Sequence, residues 1–193
     1  MKKAFTTAEL LIAMTIIGVV AALVMPGFMQ DYSRKIYVTH IKKVYGLILS
    51  GVEQACADGG VSNFKMTKYS KSGNEEEFLT KYLKIKDTSN IFADSYKSIS
   101  GESLELSLTG TSVKLAGSES VNMSCDVNSI CKFTVDVNGT EKPNIGGRDL
   151  YTFTVNPTEN IIEDADDADN CATNANGSGC LQKLIDKDWT MDY

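Results

Sequence analysis

The side chains in this sequence that could do chemistry fall into three groups. The first is a single carboxylate, Glu9, the only charged residue between Phe5 and Met25. A charge inside an apolar helix costs roughly 2.5–3.5 kcal/mol at the centre of a bilayer and less near an end, so Glu9 calls for a partner. The second group is five cysteines, Cys56, Cys125, Cys131, Cys171 and Cys180. No C-x-x-C occurs, and the one histidine, His40, is far from the others in sequence, which argues against zinc. The third is Asp164, Asp166, Asp167 and Asp169 beside Asn170. Carboxylates this close repel one another, and a hard cation such as Ca²⁺ would relieve that. The spacing lacks the distal glutamate of an EF-hand, so a solvated acidic loop is the simpler reading and a calcium site the alternative. No Ser, Cys or Asp stands in a nucleophile motif, and His40 reads as a surface residue of a helix. Nothing here makes a case for an enzyme.

The chain of 193 residues can hold one ordinary domain and an extension. Its formal charge of −6, without a dense basic cluster, excludes a general nucleic-acid binder, which needs a basic face against phosphate.

The apolar run from Phe5 to Met25 is long enough to cross a bilayer as a helix. Lys2 and Lys3 precede it, which favours a cytoplasmic N-terminus. A secretory signal explains the basic start, but not Glu9, the length of the run or the want of a small-x-small cleavage site. A plain signal anchor leaves Glu9 without a partner. The order Lys2-Lys3-Ala4, then Phe5-Thr6-Thr7-Ala8-Glu9, then the apolar run resembles the processing motif of type IV prepilins.

That resemblance implies cleavage by a prepilin peptidase between Ala4 (where Gly is usual) and Phe5, followed by methylation of the new amino group. It makes Glu9 the fifth residue of the mature chain. It also implies an assembly role for Glu9, Gly18 and Pro26, the last two falling where pilins carry helix-loosening residues. The partners implied are membrane lipid before assembly, an inner-membrane assembly platform, and further copies of this chain or other pilins. The product would be a type IV pilus or a type II secretion pseudopilus, first anchored in a bacterial inner membrane and then periplasmic or extracellular. The physics runs the same way. Glu9 lies one helical turn from Phe5, whose amino group, with a reference pKa of about 7.7–8.0, would neutralise it in the same or a neighbouring subunit. A subunit inserted out of register would leave both charges unpaired. The alternative of a different class is a signal-anchored envelope binding or adhesion protein that never polymerises.

The elements follow from periodicity and give an α+β fold: a long N-terminal helix packed on a small antiparallel sheet. Residues 1–4 form the expected leader, 5–26 the membrane or filament-core helix, 27–58 its amphipathic half and 59–193 the head. Tyr37, Ile41, Val44, Tyr45, Ile48, Val52 and Cys56 make one apolar stripe, and Gly59-Gly60 stops the helix. Pro26 removes a donor and should kink or loosen it. A second helix is expected over Glu75 to Lys84, capped by Asn74 with Glu77 completing a capping box, burying Phe78, Leu79, Tyr82 and Leu83. Leu104, Leu106 and Leu108 alternate with polar residues and, past Gly110, read as a hairpin with Val113 and Leu115. Phe133, Val135 and Val137 form another strand, partnered by Tyr151, Phe153 and Val155. With an export segment present, disulfides are the expected use of cysteine, and close spacing favours Cys125–Cys131 and Cys171–Cys180 without fixing the connectivity. Cys56 is then a buried thiol at a helix end. Residues 136–149 and 179–189 also resemble stretches of pilin-like heads, which implies that the Cys171–Cys180 loop is an exposed variable surface. Since some pseudopilins bind calcium in a C-terminal loop, the resemblance adds weight to the calcium alternative.

Overall fold

The computed structural model describes residues 6–89 and 91–193. Helix α1 runs Thr7–Gly59, α-helical across Gly18 and Pro26 without interruption. Contacts divide the chain between Ile36 and Tyr37 into two units.

The first unit is α1 up to Ile36, and its apolar side chains cover nothing: Leu23 is 77% exposed and Leu11, Ile17, Val20 and Phe28 are all exposed. Two hydroxyls in this stretch, Thr15 and Ser33, donate back to carbonyls of the preceding turn.

The second unit, Tyr37–Tyr193, begins with the amphipathic end of α1, where Val38, Ile41, Val44, Ile48, Val52, Ala55 and Cys56 are buried at steps of three or four. Tyr37 and Tyr45 lie half-buried beside them. The sheet they face has six antiparallel strands: β1 (Ile85–Asp87), β4 (Thr111–Leu115), β5 (Ser120–Cys125), β6 (Cys131–Asp136), β7 (Leu150–Val155) and β8 (Ile162–Asp164), in that spatial order. The register stacks Val121, Val135 and Tyr151 in one row and Met123, Phe133 and Phe153 in the next. Partners across a ladder share a face, so this face is the core and meets the α1 stripe. The opposite face carries Asn122, Thr134 and Thr152, also in one row. The expected pairing of Phe133, Val135 and Val137 with Tyr151, Phe153 and Val155 is the one found.

Three expectations are corrected. The leucine run does not pair with Val113 and Leu115: β3 (Ser103–Glu105) pairs with β2 (Ser95–Lys97) in a separate two-stranded sheet, while β4 pairs with β5. Leu104 is exposed, so the alternation marks a strand without marking core. Helix α2 is Glu75–Tyr82, and Asn74 stands at its N-cap position but makes no side-chain cap, its amide donating to the Lys71 carbonyl instead. Glu75 supplies the anchor: it accepts from the Gly73 N–H at 2.7 Å and, through its other oxygen, from the Cys125 N–H at 3.2 Å. Glu77 pairs with Lys68. The expected buried face holds, with Phe78, Leu79 and Leu83 in the core and Tyr82 half-buried. It approaches α1 at Gly51, where a Cβ would stand only 3.2 Å from Tyr82 and 3.3 Å from Phe78.

His40, expected at the surface, is half-buried and bound. Its Nδ1 lies 2.8 Å from Glu119 Oε1, and Lys43 Nζ lies 2.7 Å from the same oxygen. Glu119 follows the turn from β4 and is fully buried. Gly117 makes room, since a Cβ there would fall 2.3 Å from the carboxylate and 2.5 Å from Lys43 Nζ. Burial pushes the Glu119 carboxyl up, but hydrogen bonds from Lys43 and His40 outweigh it and hold the group below the usual glutamate value. A depressed carboxyl contributes stability above its unfolded pKa and loses it as pH falls through its folded one. Glu119→Gln is therefore expected to cost about 1–3 kcal/mol in urea unfolding at neutral pH, and to shrink the loss seen on acidification below about pH 4.

Candidate functional site

The described part of the expected assembly segment starts at Thr6. Ala4 and Phe5, the expected cleavage and methylation residues, lie outside the described residues, and so does the expected bond between Glu9 and the Phe5 amino group. What Glu9 does bind is Thr6. Glu9 Oε2 accepts from the Thr6 N–H and from the Thr6 hydroxyl, each at 2.8 Å. The Thr6 hydroxyl in turn accepts from the Glu9 N–H at 3.3 Å. This reciprocal pair is a capping box that closes the first turn of α1. Thr-x-x-Glu ahead of an apolar run is its sequence signature, and it stands at Thr6-Thr7-Ala8-Glu9. Both Thr6 donors converge on Oε2, and a carboxylate has capacity for further donors at Oε1. Beyond Glu9 the surface is continuous hydrocarbon, including a shallow apolar groove between Ile16, Val20, Val24 and Phe28. Gly18 adds no bulk to it, since nothing lies within 4 Å of where its Cβ would be. The segment is long and apolar enough to cross a membrane, and none of it is buried by the chain itself.

The cysteines take the favoured pairing. Cys125–Cys131 ties the ends of the β5–β6 hairpin, and Cys171–Cys180 ties the short 3₁₀ turn Ala168–Ala172 to α3 (Cys180–Asp186). Cys56 is a free, buried thiol near the end of α1, and burial pushes its pKa up.

The four aspartates are not brought together around a common point. Asp164 is a cap for α3: its Oδ1 accepts from the Gly179 N–H at 2.5 Å and its Oδ2 from the Gln182 N–H at 2.9 Å. Burial pushes its carboxyl up, against those bonds. Asp166 accepts from the side-chain amides of Asn170 at 2.9 Å and Asn174 at 2.8 Å. Asp167 and Asp169 are exposed. Among the described residues no group of three or more His, Cys, Asp or Glu is placed to hold a metal ion. Of the four aspartates in the calcium alternative, Asp164 caps a helix, Asp166 braces the loop through amide N–H donors, and Asp167 and Asp169 face solvent.

Two buried carboxylates close another loop, and the sequence analysis named neither as a site. Asp136 and Asp149, at the two ends of the loop 138–148, are both fully buried. Both acids lie in the segment Asp136-Val-Asn-Gly to Gly-Gly-Arg-Asp149, which the sequence marks only by its resemblance to pilin-like heads. Compared with protein-family models, with curated proteins and with solved structures, the chain finds no match in any of the three.

Asp164→Ala is expected to cost about 1–2 kcal/mol in thermal or urea unfolding, the range for a lost helix cap. Millimolar Ca²⁺ is expected to leave the melting temperature unchanged; a rise that Asp164→Ala abolishes would restore the calcium reading.

Proposed function

We propose that this chain is a structural, non-catalytic subunit of a type IV pilus or type II secretion pseudopilus. On this reading it is made as a bacterial inner-membrane prepilin with its N-terminus cytoplasmic and is later packed into a filament through α1. The observation that carries the proposal is the uncovered first stretch of that helix. A helix apolar on all sides is stable only in lipid or inside a bundle of its own kind. One carboxylate at its very start, four residues beyond the aromatic Phe5, is an arrangement that lipid alone does not reward. The resemblance to the prepilin motif supplies a reason for both, and the disulfide-tied α+β head suits a chain exported to an oxidising compartment. Gly18 and Pro26 are then where α1 gives during assembly.

One observation favours the second reading, an envelope protein anchored but never polymerised. The capping box satisfies Glu9 Oε2 from Thr6 alone, so the carboxylate has a structural use with or without a free amino group at Phe5.

The two readings part at residue 5. Intact-mass and peptide mass spectrometry of the protein from membranes is expected to find a chain beginning with N-methylated Phe5. An intact Met1, or a cut beyond Ala22, would contradict the filament reading.

A further inference from the structure

Asp136 ends β6 and Asp149 immediately precedes β7, and the two strands are paired so that the Val137 N–H donates to the Asp149 carbonyl at 2.9 Å. The acids therefore stand at the two mouths of one loop, both fully buried. Each carboxylate faces neutral donors. Asp136 Oδ2 accepts from the Tyr96 hydroxyl of β2 at 2.5 Å, and its Oδ1 from the Asn138 N–H at 3.0 Å. Asp149 accepts from the Ile145 N–H at 2.6 Å and the Asn144 N–H at 2.7 Å. The same loop is stitched to β2 by its backbone, Lys97 N–H to the Asn144 carbonyl at 2.9 Å and Gly146 N–H to the Lys97 carbonyl at 2.8 Å.

The titratable groups that act on the pair are Tyr96 from β2, Tyr37 from α1, Tyr151 from β7 and the other aspartate. All are acids. Of the two cations within the loop, Arg148 bears on Tyr193 and Lys142 is exposed, while Lys114 Nζ of β4 reaches the loop at Gly139, 3.7 Å from where a Cβ there would stand. A buried carboxylate without a cation is costly as an anion, and two near each other are costlier. Burial pushes Asp136 up to about 7 and Asp149 up to about 6, with the charge of Asp149 raising Asp136 further.

We propose that Asp136 and Asp149 form a proton-operated clasp, which holds the loop 138–148 against β2 while at least one of the pair is protonated and loosens it when both ionise. The direction follows from linkage. Below the ordinary aspartate value of about 4, folded and unfolded chains both carry the protons and the pair adds no pH dependence. Between about pH 4 and 7 the unfolded chain releases protons that the folded one keeps, so stability declines as pH rises, and above about 7 it levels off. This is opposite in sign to the contribution of Glu119, which acts at lower pH. Because the clasp joins β2 to the main sheet and faces Tyr37, its opening bears on the side of the head where the two-stranded sheet docks.

The test uses the full chain in detergent micelles, unfolded by urea from pH 5 to 8. The unfolding constant of the parent chain is expected to rise at least tenfold across that range, and Asp136→Asn is expected to remove most of the rise. Amide exchange at Ile145 and Gly146, compared with that at Phe133 and Phe153 to correct for base catalysis, is expected to quicken at pH 8 in the parent only. Should Asp136→Asn not fold, the carboxyl ¹³C resonances of Asp136 and Asp149 in the parent carry the same information, with at least one titrating near neutrality. A flat parent profile, a slope that persists in both Asp136→Asn and Asp149→Asn, or both carboxyls titrating near 4 would overturn the clasp. So would a calcium-induced gain in stability that Asp136→Asn abolishes, since the pair would then serve a cation.

Discussion

Water will not tolerate a helix that is apolar on every side, and α1 begins as one. From Leu10 to Phe28 its large apolar side chains are exposed among the described residues. From Tyr37 onward the same helix is amphipathic, and its stripe from Val38 to Cys56 is covered by the sheet and by α2. The sheet and α2 cover only the later stretch, and the exposed first stretch needs cover of its own. Lipid meets that need for a single chain. Other copies of the same stretch meet it for many. The opening carboxylate is capped by Thr6 through one oxygen, and a carboxylate can accept further donors at its other.

Within the head, a few buried or half-buried acids do work that hydrophobic packing cannot direct. Packing sets how much surface is buried; Glu119, Glu75, Asp136 and Asp164 set which elements meet. Glu119 takes Lys43 and His40 from one face of α1. Glu75 joins the start of α2 to Cys125, and Asp164 joins the end of β8 to α3. Removing the partner of a buried charge is more damaging than the pair is stabilising, so such contacts specify an arrangement more than they strengthen it.

Sequence periodicity revealed the parts of this fold that repeat. The stripe Ile41, Val44, Ile48, Val52 and the ladder of Phe133 and Val135 with Tyr151 and Phe153 were legible because each is a local pattern filled by burial. Leu104 was misleading for the same reason: period two identifies a strand, but neither its partner nor whether its apolar side is covered. Contacts between distant residues left no periodic trace. His40 and Glu119 are 79 residues apart, and nothing in either neighbourhood announces the other. The acidic run at Asp164 to Asp169 left a cation site open as the alternative to a solvated loop because carboxylates were counted without the N–H groups that reach them, whereas Asp136 and Asp149 stand 13 positions apart and nothing local links them. The capping box at Thr6 and Glu9 was fully legible, and was hidden only by the other use that Glu9 invites.

On the proposed filament reading, other subunits cover the first stretch of α1. Immunogold electron microscopy of material sheared from intact cells, using antibody raised against the head, tests it most directly. Labelled thin filaments are the expected result. Label confined to the membrane fraction, with none on any filament in the sheared material, would contradict it.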